Sequence, residues 1–529
     1  MDQAGTSDIL IVGAGHNALV CAYYLAERGL SVTMLESRSV VGGAAVTEEF
    51  HPGFRNSTAA YTVSLLNPRV IRDMRLYDHG LKVVLRKIDN FLPTLGGDYL
   101  LSGRGGLTKR EIARHSPADA ENYDAYAQAL NGVVGVLRQW LLRAPPNAGG
   151  GLGDLFALLK LGGRVGRLGL EQQRHLVDFF TKSAADILER YFSHDLVQAL
   201  FGFDAVVGHY ASPYAPGSAY VLLHHVFGEA AGVEGAWGHA IGGMGAITQA
   251  MAKAARGKGV EILLDTPVDE VIVEGGKAAG AVAGGKAYRA KAVVAGVHPK
   301  RLFTQLLPDG AVDEEPAGRM ARWASESATF RMNVALSSLP RLTSLPEPGD
   351  HLTAGIILGP SLAYMDRAYL TARTEGWSRE PVVEMLIPST LDDSLAPAGA
   401  HVASLFCQHF PFEVPGGWDA RRDEAADHVI AHVERYAPGF GGLVIGRLAL
   451  SPLDLERRFG LIGGDIFHGK MGLDQLFSNR PMLGHADYRM PLPGLYLCGA
   501  GAHPGGGVTG APGHNAAKAV LADRRKLRL

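Results

Sequence analysis

The feature that most constrains this chain is a glycine turn between an apolar strand and a helix. Asp8 to Val12 forms a short apolar run, and Gly13-Ala14-Gly15-His16-Asn17-Ala18 comes next with the spacing of a dinucleotide-binding fingerprint, in which alanine is allowed at the last position. Gly13 permits the tight turn, Gly15 lets the backbone approach a pyrophosphate, and Ala18 is small enough for close helix packing. The helix start, with His16 and Asn17, offers free N–H groups and a partial positive charge to that pyrophosphate. Leu19 to Arg28 continues as a helix that Gly29 ends, and Leu30 to Leu35 reads as a second strand closing on Glu36. An acidic side chain about 20 residues beyond the glycines is where ribose hydroxyls are held.

The segment after Glu36 selects the dinucleotide. Ser37 to Thr47 reads SRSVVGGAAVT, so a glycine pair, Gly42-Gly43, lies just past the acidic strand end. This E-x(5)-GG-x-x-x-T pattern resembles that of the FAD-binding amine oxidase and phytoene desaturase superfamily. The resemblance implies FAD, with Ser37, Arg38, Gly42, Gly43 and Ala44 as neighbours of its phosphates. It also implies the fold class: α/β, with a Rossmann-type FAD-binding domain of the glutathione reductase-like or amine oxidase-like kind and an inserted mixed α+β substrate domain.

Two later segments are similar to the same superfamily. Gly242-Gly243-Met244-Gly245 opens a helix-like run that leads into the strand "VEILLDTPVDEVIVEGG" and then "AVVAGVHP". The resemblance implies that Val268 meets the adenine end of FAD through its backbone. "GLYLCGAGAHPGGGVTGAPGHNAAKAVL" reads as strand, glycine-rich turn and helix. The resemblance makes it the closing FAD motif, with Gly499, Ala500, Gly506, Gly507 and Val508 under the flavin. A helix starting near Gly507 would aim its positive end at the pyrimidine side of the ring and favour an anionic reduced flavin. His503 and His514 flank this turn as further candidates for bonds to FAD. "FCQHFPF" and "GGDIFHG" narrow the resemblance to a subgroup of the carotenoid and retinoid oxidoreductases.

Composition agrees with a large α/β enzyme: 529 residues, 47% hydrophobic, 68 glycines. A formal net charge of -2 gives no electrostatic case for nucleic acid. The opening MDQAGTSDIL has no basic or apolar leader, so no signal or transit peptide is read and a cytoplasmic location is expected. No apolar run approaches the roughly 18 residues that span a bilayer. The three cysteines, Cys21, Cys407 and Cys498, form no C-x-x-C, so disulfide reduction through a cysteine pair is not expected; Cys21 and Cys498 read as buried small hydrophobes. "SGRGGLTK" and "GGGLGDLF" lack the strand and acid of a second fingerprint. The flavin is therefore expected to be reduced by the organic substrate and reoxidised by oxygen or a quinone.

The expected FAD domain is discontinuous, taking 1–90, 240–300 and 480–529, while 91–239 and 301–479 build the substrate-binding cap. Residues 116–230 read as helical with breaks at "RAPPNAGGGLG" and "ASPYAPGS"; 326–337 and 380–410 carry strand-like runs, and the resemblance implies a sheet roofing the flavin. Leu152 to Phe180 mixes leucines with Lys160, Arg164, Arg167 and Arg174. Two readings stand: a peripheral membrane contact, or a lid or core helix with solvated basic residues.

Hydride abstraction needs little beyond a positioned C–H over the flavin, and a His or carboxylate where a proton must also leave. The catalytic candidates are His468 and Asp465 in "GGDIFHG", His409 in "FCQHFPF" and Tyr61; the alternatives are a turn cap, a core histidine and simple packing. No metal-ligand spacing appears, and the adjacent His224 and His225 would point apart on a helix. The leading expectation is an oxidoreductase that dehydrogenates, saturates or isomerises a hydrophobic, isoprenoid-like small molecule. Amine oxidation on the same scaffold, and a regulatory flavoprotein acting through a protein partner, are the other readings; a homo-oligomer is compatible with all three.

Overall fold

The computed structural model describes residues 3–147 and 150–529. The N-terminal pair of residues and part of the "RAPPNAGGGLG" break lie outside the described residues. The predicted βαβ unit is present with shifted bounds. Its strand is Gln3–Val12, its helix is His16–Ala26, and its second strand is Val32–Leu35. The helix starts three residues before Leu19 because the turn itself is helical from His16, and it ends at Ala26, with Gly29 at φ +81° turning the chain back.

These strands sit inside a seven-stranded sheet. Glu261–Leu263, Val32–Leu35, Gln3–Val12 and Lys286–Ala295 lie side by side in parallel. On its other edge the ten-residue Lys286–Ala295 strand serves two further partners: its first half pairs antiparallel with Lys277–Ala283, which continues to Val268–Glu274, and its last three residues pair parallel with Leu495–Leu497. Sequence segments hundreds of residues apart thus meet in one sheet, which is why its membership is not readable from local pattern alone.

The His16–Ala26 helix is apolar nearly all round and is packed by the Met244–Arg256 and Ala511–Ala522 helices. Leu19, Val20 and Leu25 are fully buried, each worth roughly 1.5–3 kcal/mol. Close approach sets the glycine at 513, where any Cβ would run into the Asn17 carbonyl.

A second seven-stranded sheet runs Val444–Leu450, Thr329–Leu336, His401–Gln408, Val382–Leu386, Gly355–Leu358, Asn90–Pro93, Tyr99–Ser102. It contains the strand-like runs expected at 326–337 and 380–410. Among the described residues the predicted helical region holds six helices, Pro117–Leu141, Leu152–Val165, Leu170–Thr181, Ala184–Tyr191, Asp195–Val206 and Ser218–His225. Leu152–Val165 buries none of its residues, with Leu152 75%, Phe156 69% and Leu159 62% exposed, so the core-helix reading of this segment is corrected. Among the described residues no helix is long and apolar enough to cross a membrane.

Candidate active site

Between the two sheets lies a cavity of about 430 Å³. Its floor is the glycine turn. The Gly13 N–H donates to the Leu35 carbonyl at 2.8 Å and the residue sits at φ +88°, the left-handed region that favours glycine. The Gly42 N–H donates to the Ala14 carbonyl at 2.9 Å, so the second glycine pair lies along the first. A Cβ on Gly43 would stand 3.3 Å from the Gly15 Cα, whereas one on Gly15 would meet no protein atom within 4 Å. The space above Gly15 belongs to the cavity.

Glu36 organises the rim. Its Oε2 accepts from the Ala14 N–H at 2.7 Å, and its Oε1 accepts from the Arg38 N–H at 3.0 Å and the Ser37 hydroxyl at 3.2 Å. A carboxylate offers about four lone-pair sites, so one remains for a ribose hydroxyl. The His16–Ala26 helix begins with no side-chain cap and no acid in its first turn, which leaves its N–H groups and its positive dipole end open to an anion. The buried Asn17 Oδ1, which lines the same space, has no partner in the protein. Glycine cradle, uncapped helix start and orphaned amide together fit the ADP half of FAD.

The other end is built by the C-terminal turn. Gly499, Ala500, Gly507 and Val508 line the cavity beside Val297 and His298. The His16 Nε2–H donates to the Gly507 carbonyl at 3.2 Å, tying the first helix to this turn. Burial pulls His16 down to about 4, so the ring is neutral. One expectation is corrected here, the start of the closing helix, and two expected neighbours of FAD lie off the cavity lining. The closing helix starts at Ala511, behind Gly510 at φ +73°, and not near Gly507. Gly506 does not line the cavity, because it packs against the Phe467 side chain. Val268 is also off the lining: it starts the Val268–Glu274 strand, opposite Ala283, and packs by Leu10 and Leu35.

The roof comes from the second sheet and carries charge. Arg331 pairs with Phe406 across one strand boundary, and Phe406 pairs with Glu384 across the next. Directly opposed residues share a sheet face, so these three side chains form one row. Tyr61, from the segment after the Phe54–Ser57 strand, packs on this row. Its ring lies 5.3 Å from Phe406 and 4.5 Å from the Arg331 guanidinium carbon, and its hydroxyl donates to Glu384 Oε2 at 2.5 Å. Glu384 also pairs with buried Arg86 at 3.7 Å, and Arg86 donates to the Thr62 hydroxyl at 2.8 Å. A Cβ on Gly355 would stand 2.5 Å from Glu384 Oε1 and 3.0 Å from Arg86 Nη1, so glycine clears room for that pair. Burial, then the Glu384 charge, raises the Tyr61 phenol well above its ordinary value, so it stays protonated.

The remaining catalytic candidates separate. His468 lines the cavity, its Nδ1 has no partner, and burial pulls it to about 3; its ring stands 5.3 Å from His298. Asp465 is off the lining and acts as a turn anchor, accepting from the Phe467 N–H at 2.7 Å and the Ser327 hydroxyl at 3.2 Å. His409 is also off it, buried between Tyr210 and Tyr369 with Nε2 unpartnered. His503 bonds the Trp140 carbonyl and His514 the Asn515 side chain, so neither faces the cavity. Of the histidine pair, His225 lines it and His224 does not. Sequence reasoning missed Arg331, Glu384, Arg86, Phe406 and His298. A charge inside the apolar strands "TFRMNVAL" and "VVEML" was the available signal for the first two.

A family model described as flavin containing amine oxidoreductase matches residues 19–322. Pyridine nucleotide-disulfide oxidoreductase domain-containing protein 2 of Rattus norvegicus is 38% identical over 98% of this chain and 94% of its own. Phytoene desaturase (neurosporene-forming) of Cereibacter sphaeroides is 26% identical over 97% of this chain and 94% of its own. Among solved structures, cyclohexylamine oxidase from Brevibacterium oxydans matches with a TM-score of 0.60 at 14% identity, covering 99% of this chain and all of that one, which is a likeness of fold.

Proposed function

The chain belongs to the flavin-containing amine oxidoreductase family and is an FAD-dependent oxidoreductase, and from that premise we propose that it dehydrogenates, or in reverse saturates, a C–C bond of an apolar, isoprenoid-like small molecule. The observation that carries this reading is the cavity itself: a cofactor cradle continuous with a roofed space lined by Leu65, Val207, Trp237, Phe406, Ile466 and Phe467. Similarity to a phytoene desaturase over nearly the whole chain supports it.

FAD, when bound, supplies the hydride acceptor. The protein's part is to hold a C–H in place, keep water out and move a proton. Tyr61, hydrogen-bonded to Glu384, is the proton-handling group of the roof: it takes a proton at its oxygen as it passes its own to Glu384, and the reverse movement serves saturation. His468 is the neutral group at the flavin end.

Amine oxidation draws no support from the roof. Tyr61 and Phe406 are packed against each other at 5.3 Å, with no gap to hold an amine, and the adjacent Arg331 would repel a protonated one. The stripe Leu152, Leu155, Phe156 and Leu159, at helical spacing and exposed beside Lys160, Arg164 and Arg167, would hold the protein to a lipid surface from which such a substrate is drawn.

The test is anaerobic. The visible spectrum of the holoprotein is followed on adding, in turn, NADPH and a panel of polyenes and shorter isoprenoids. Bleaching by an isoprenoid, with recovery on adding a quinone or oxygen, supports dehydrogenation. Bleaching by NADPH shifts the reading to saturation, and bleaching by amines alone overturns it.

A further inference from the structure

One buried cation of the roof, Arg331, has no ion-pair partner among the described residues. Arg86 and Arg331 are both buried, Arg331 to 1% exposure, and the carboxylates that act on Arg86 are Glu384 and Asp89. Glu384 is already committed to Arg86, at 3.7 Å, and to the Tyr61 hydroxyl. Arg331 donates to the Leu405 carbonyl and the Ser404 hydroxyl, both at 2.8 Å, and rests on the Tyr61 ring. Its Nε has no acceptor, and among the described residues no carboxylate lies within 4.0 Å of it. A guanidinium stays charged at any physiological pH, and neutral acceptors do not cancel that charge. Taking an ion out of water without a counter-charge is costly, and such groups persist where a ligand completes them. Arg331 lines the cavity, so the missing anion would come from its contents.

We infer that the substrate is an amphiphile, an apolar isoprenoid-like chain ending in a carboxylate, and that Arg331 is the residue that selects that end. This deepens the reading of the cavity as a site for apolar substrates and rests on it. The pairing suits the residue type, since a guanidinium offers a planar fork that matches a carboxylate. With the guanidinium carbon 4.5 Å from the Tyr61 ring, the polar end of the substrate lies beside the Tyr61–Glu384 pair. An uncharged hydrocarbon would leave the Arg331 charge unmet. The side of the site that discriminates is therefore the roof strand, not the cofactor cradle.

The experiment is calorimetric titration of the oxidised holoprotein with farnesoate, methyl farnesoate and acetate at pH 8, repeated with Arg331→Gln and Arg331→Lys. The expected result is farnesoate binding at least about tenfold tighter than its ester and far tighter than acetate. That preference falls to within about twofold in Arg331→Gln and is partly kept in Arg331→Lys. Equal binding of acid and ester by the native protein overturns the carboxylate assignment while leaving the apolar-substrate reading intact. Acetate binding as tightly as farnesoate overturns it in favour of a site for small free anions. Binding of neither isoprenoid overturns both readings. The comparison within the native protein decides the matter even if a variant fails to fold.

Discussion

Tyr61 and Glu384, 323 positions apart in sequence, share a hydrogen bond of 2.5 Å that joins the loop after the cofactor cradle to the middle of the roof sheet. If this pair handles the proton, Tyr61→Phe lowers kcat about 100-fold or more on any accepted substrate, the range of a lost general acid–base group, with FAD content unchanged. Glu384→Gln gives a comparable loss. It differs in stability, because it leaves buried Arg86 without its counter-charge, and breaking a buried pair costs about 3–5 kcal/mol. Thermal unfolding should therefore drop clearly in Glu384→Gln and little in Tyr61→Phe. Equal kcat for Tyr61→Phe and the native protein would remove Tyr61 from the chemistry.

Two glycine replacements should separate cofactor binding from folding. At Gly15 an added Cβ meets no protein atom within 4 Å but enters the cavity, so Gly15→Ala is expected to fold with a near-native apoprotein melting temperature and to purify with little flavin. At Gly42 the Cβ would stand 2.6 Å from the Ala45 carbonyl and 2.9 Å from Val46 Cγ1, at φ +129°, so Gly42→Ala is expected to lose stability and flavin together. The ratio of visible to ultraviolet absorbance and the apoprotein melting temperature read the two effects.

Buried histidines set an acid limit. His16, His225 and His503 are pulled to about 4, and His224, His409 and His468 to about 3, in each case chiefly by burial. Their unfolded value is near 6.5, so below that pH the unfolded chain binds protons that the native protein refuses. The stability contributed by each is present in full above about pH 6.5 and falls as pH drops toward the folded value, by up to about 1.4 kcal/mol per pH unit per group. The melting temperature should hold between pH 7 and 8 and fall steeply from pH 6.5 to 4.5. His503→Asn, which keeps a polar side chain near the Trp140 carbonyl, should make that fall shallower. A melting temperature flat down to pH 4.5 would contradict the neutral state of these rings.

The parts of this molecule that were legible in its sequence are those whose physics is local. The turn at 13–18, the pair at 42–43 and the acid at Glu36 stand within one βαβ unit and the loop after it; Gly13, Gly42 and Gly43 take the positive φ that favours glycine, and Gly15 keeps the space above it clear. The roof was not legible in the same way. Arg331, Phe406 and Glu384 meet only through strand register between segments more than 70 and 20 residues apart, and no local periodicity fixes which strands pair. Asp465 and His409 looked catalytic because polar residues in an apolar context draw attention. Asp465 instead holds a turn from inside, and His409 is enclosed by tyrosines. Residue type marked them as unusual, and only geometry could say which way they face.

The Leu152–Val165 helix carries the last prediction. Leu152, Leu155, Phe156 and Leu159 have the i, i+3, i+4, i+7 spacing of one helical stripe, and all four are exposed. A stripe that buries nothing in the protein does nothing for folding, so removing it should not cost stability. If it lies on lipid, the holoprotein should float with vesicles of phosphatidylcholine containing phosphatidylserine. Phe156→Asp with Leu159→Asp should abolish flotation and leave the melting temperature and flavin content unchanged. Lys160, Arg164 and Arg167 should make the binding weaken as salt rises, at about 1 kcal/mol for each basic residue near an anionic surface. Flotation with pure phosphatidylcholine at high salt, equal to that with anionic vesicles, would assign the contact to the leucines alone. No flotation under any condition would free this helix for a role against a protein surface.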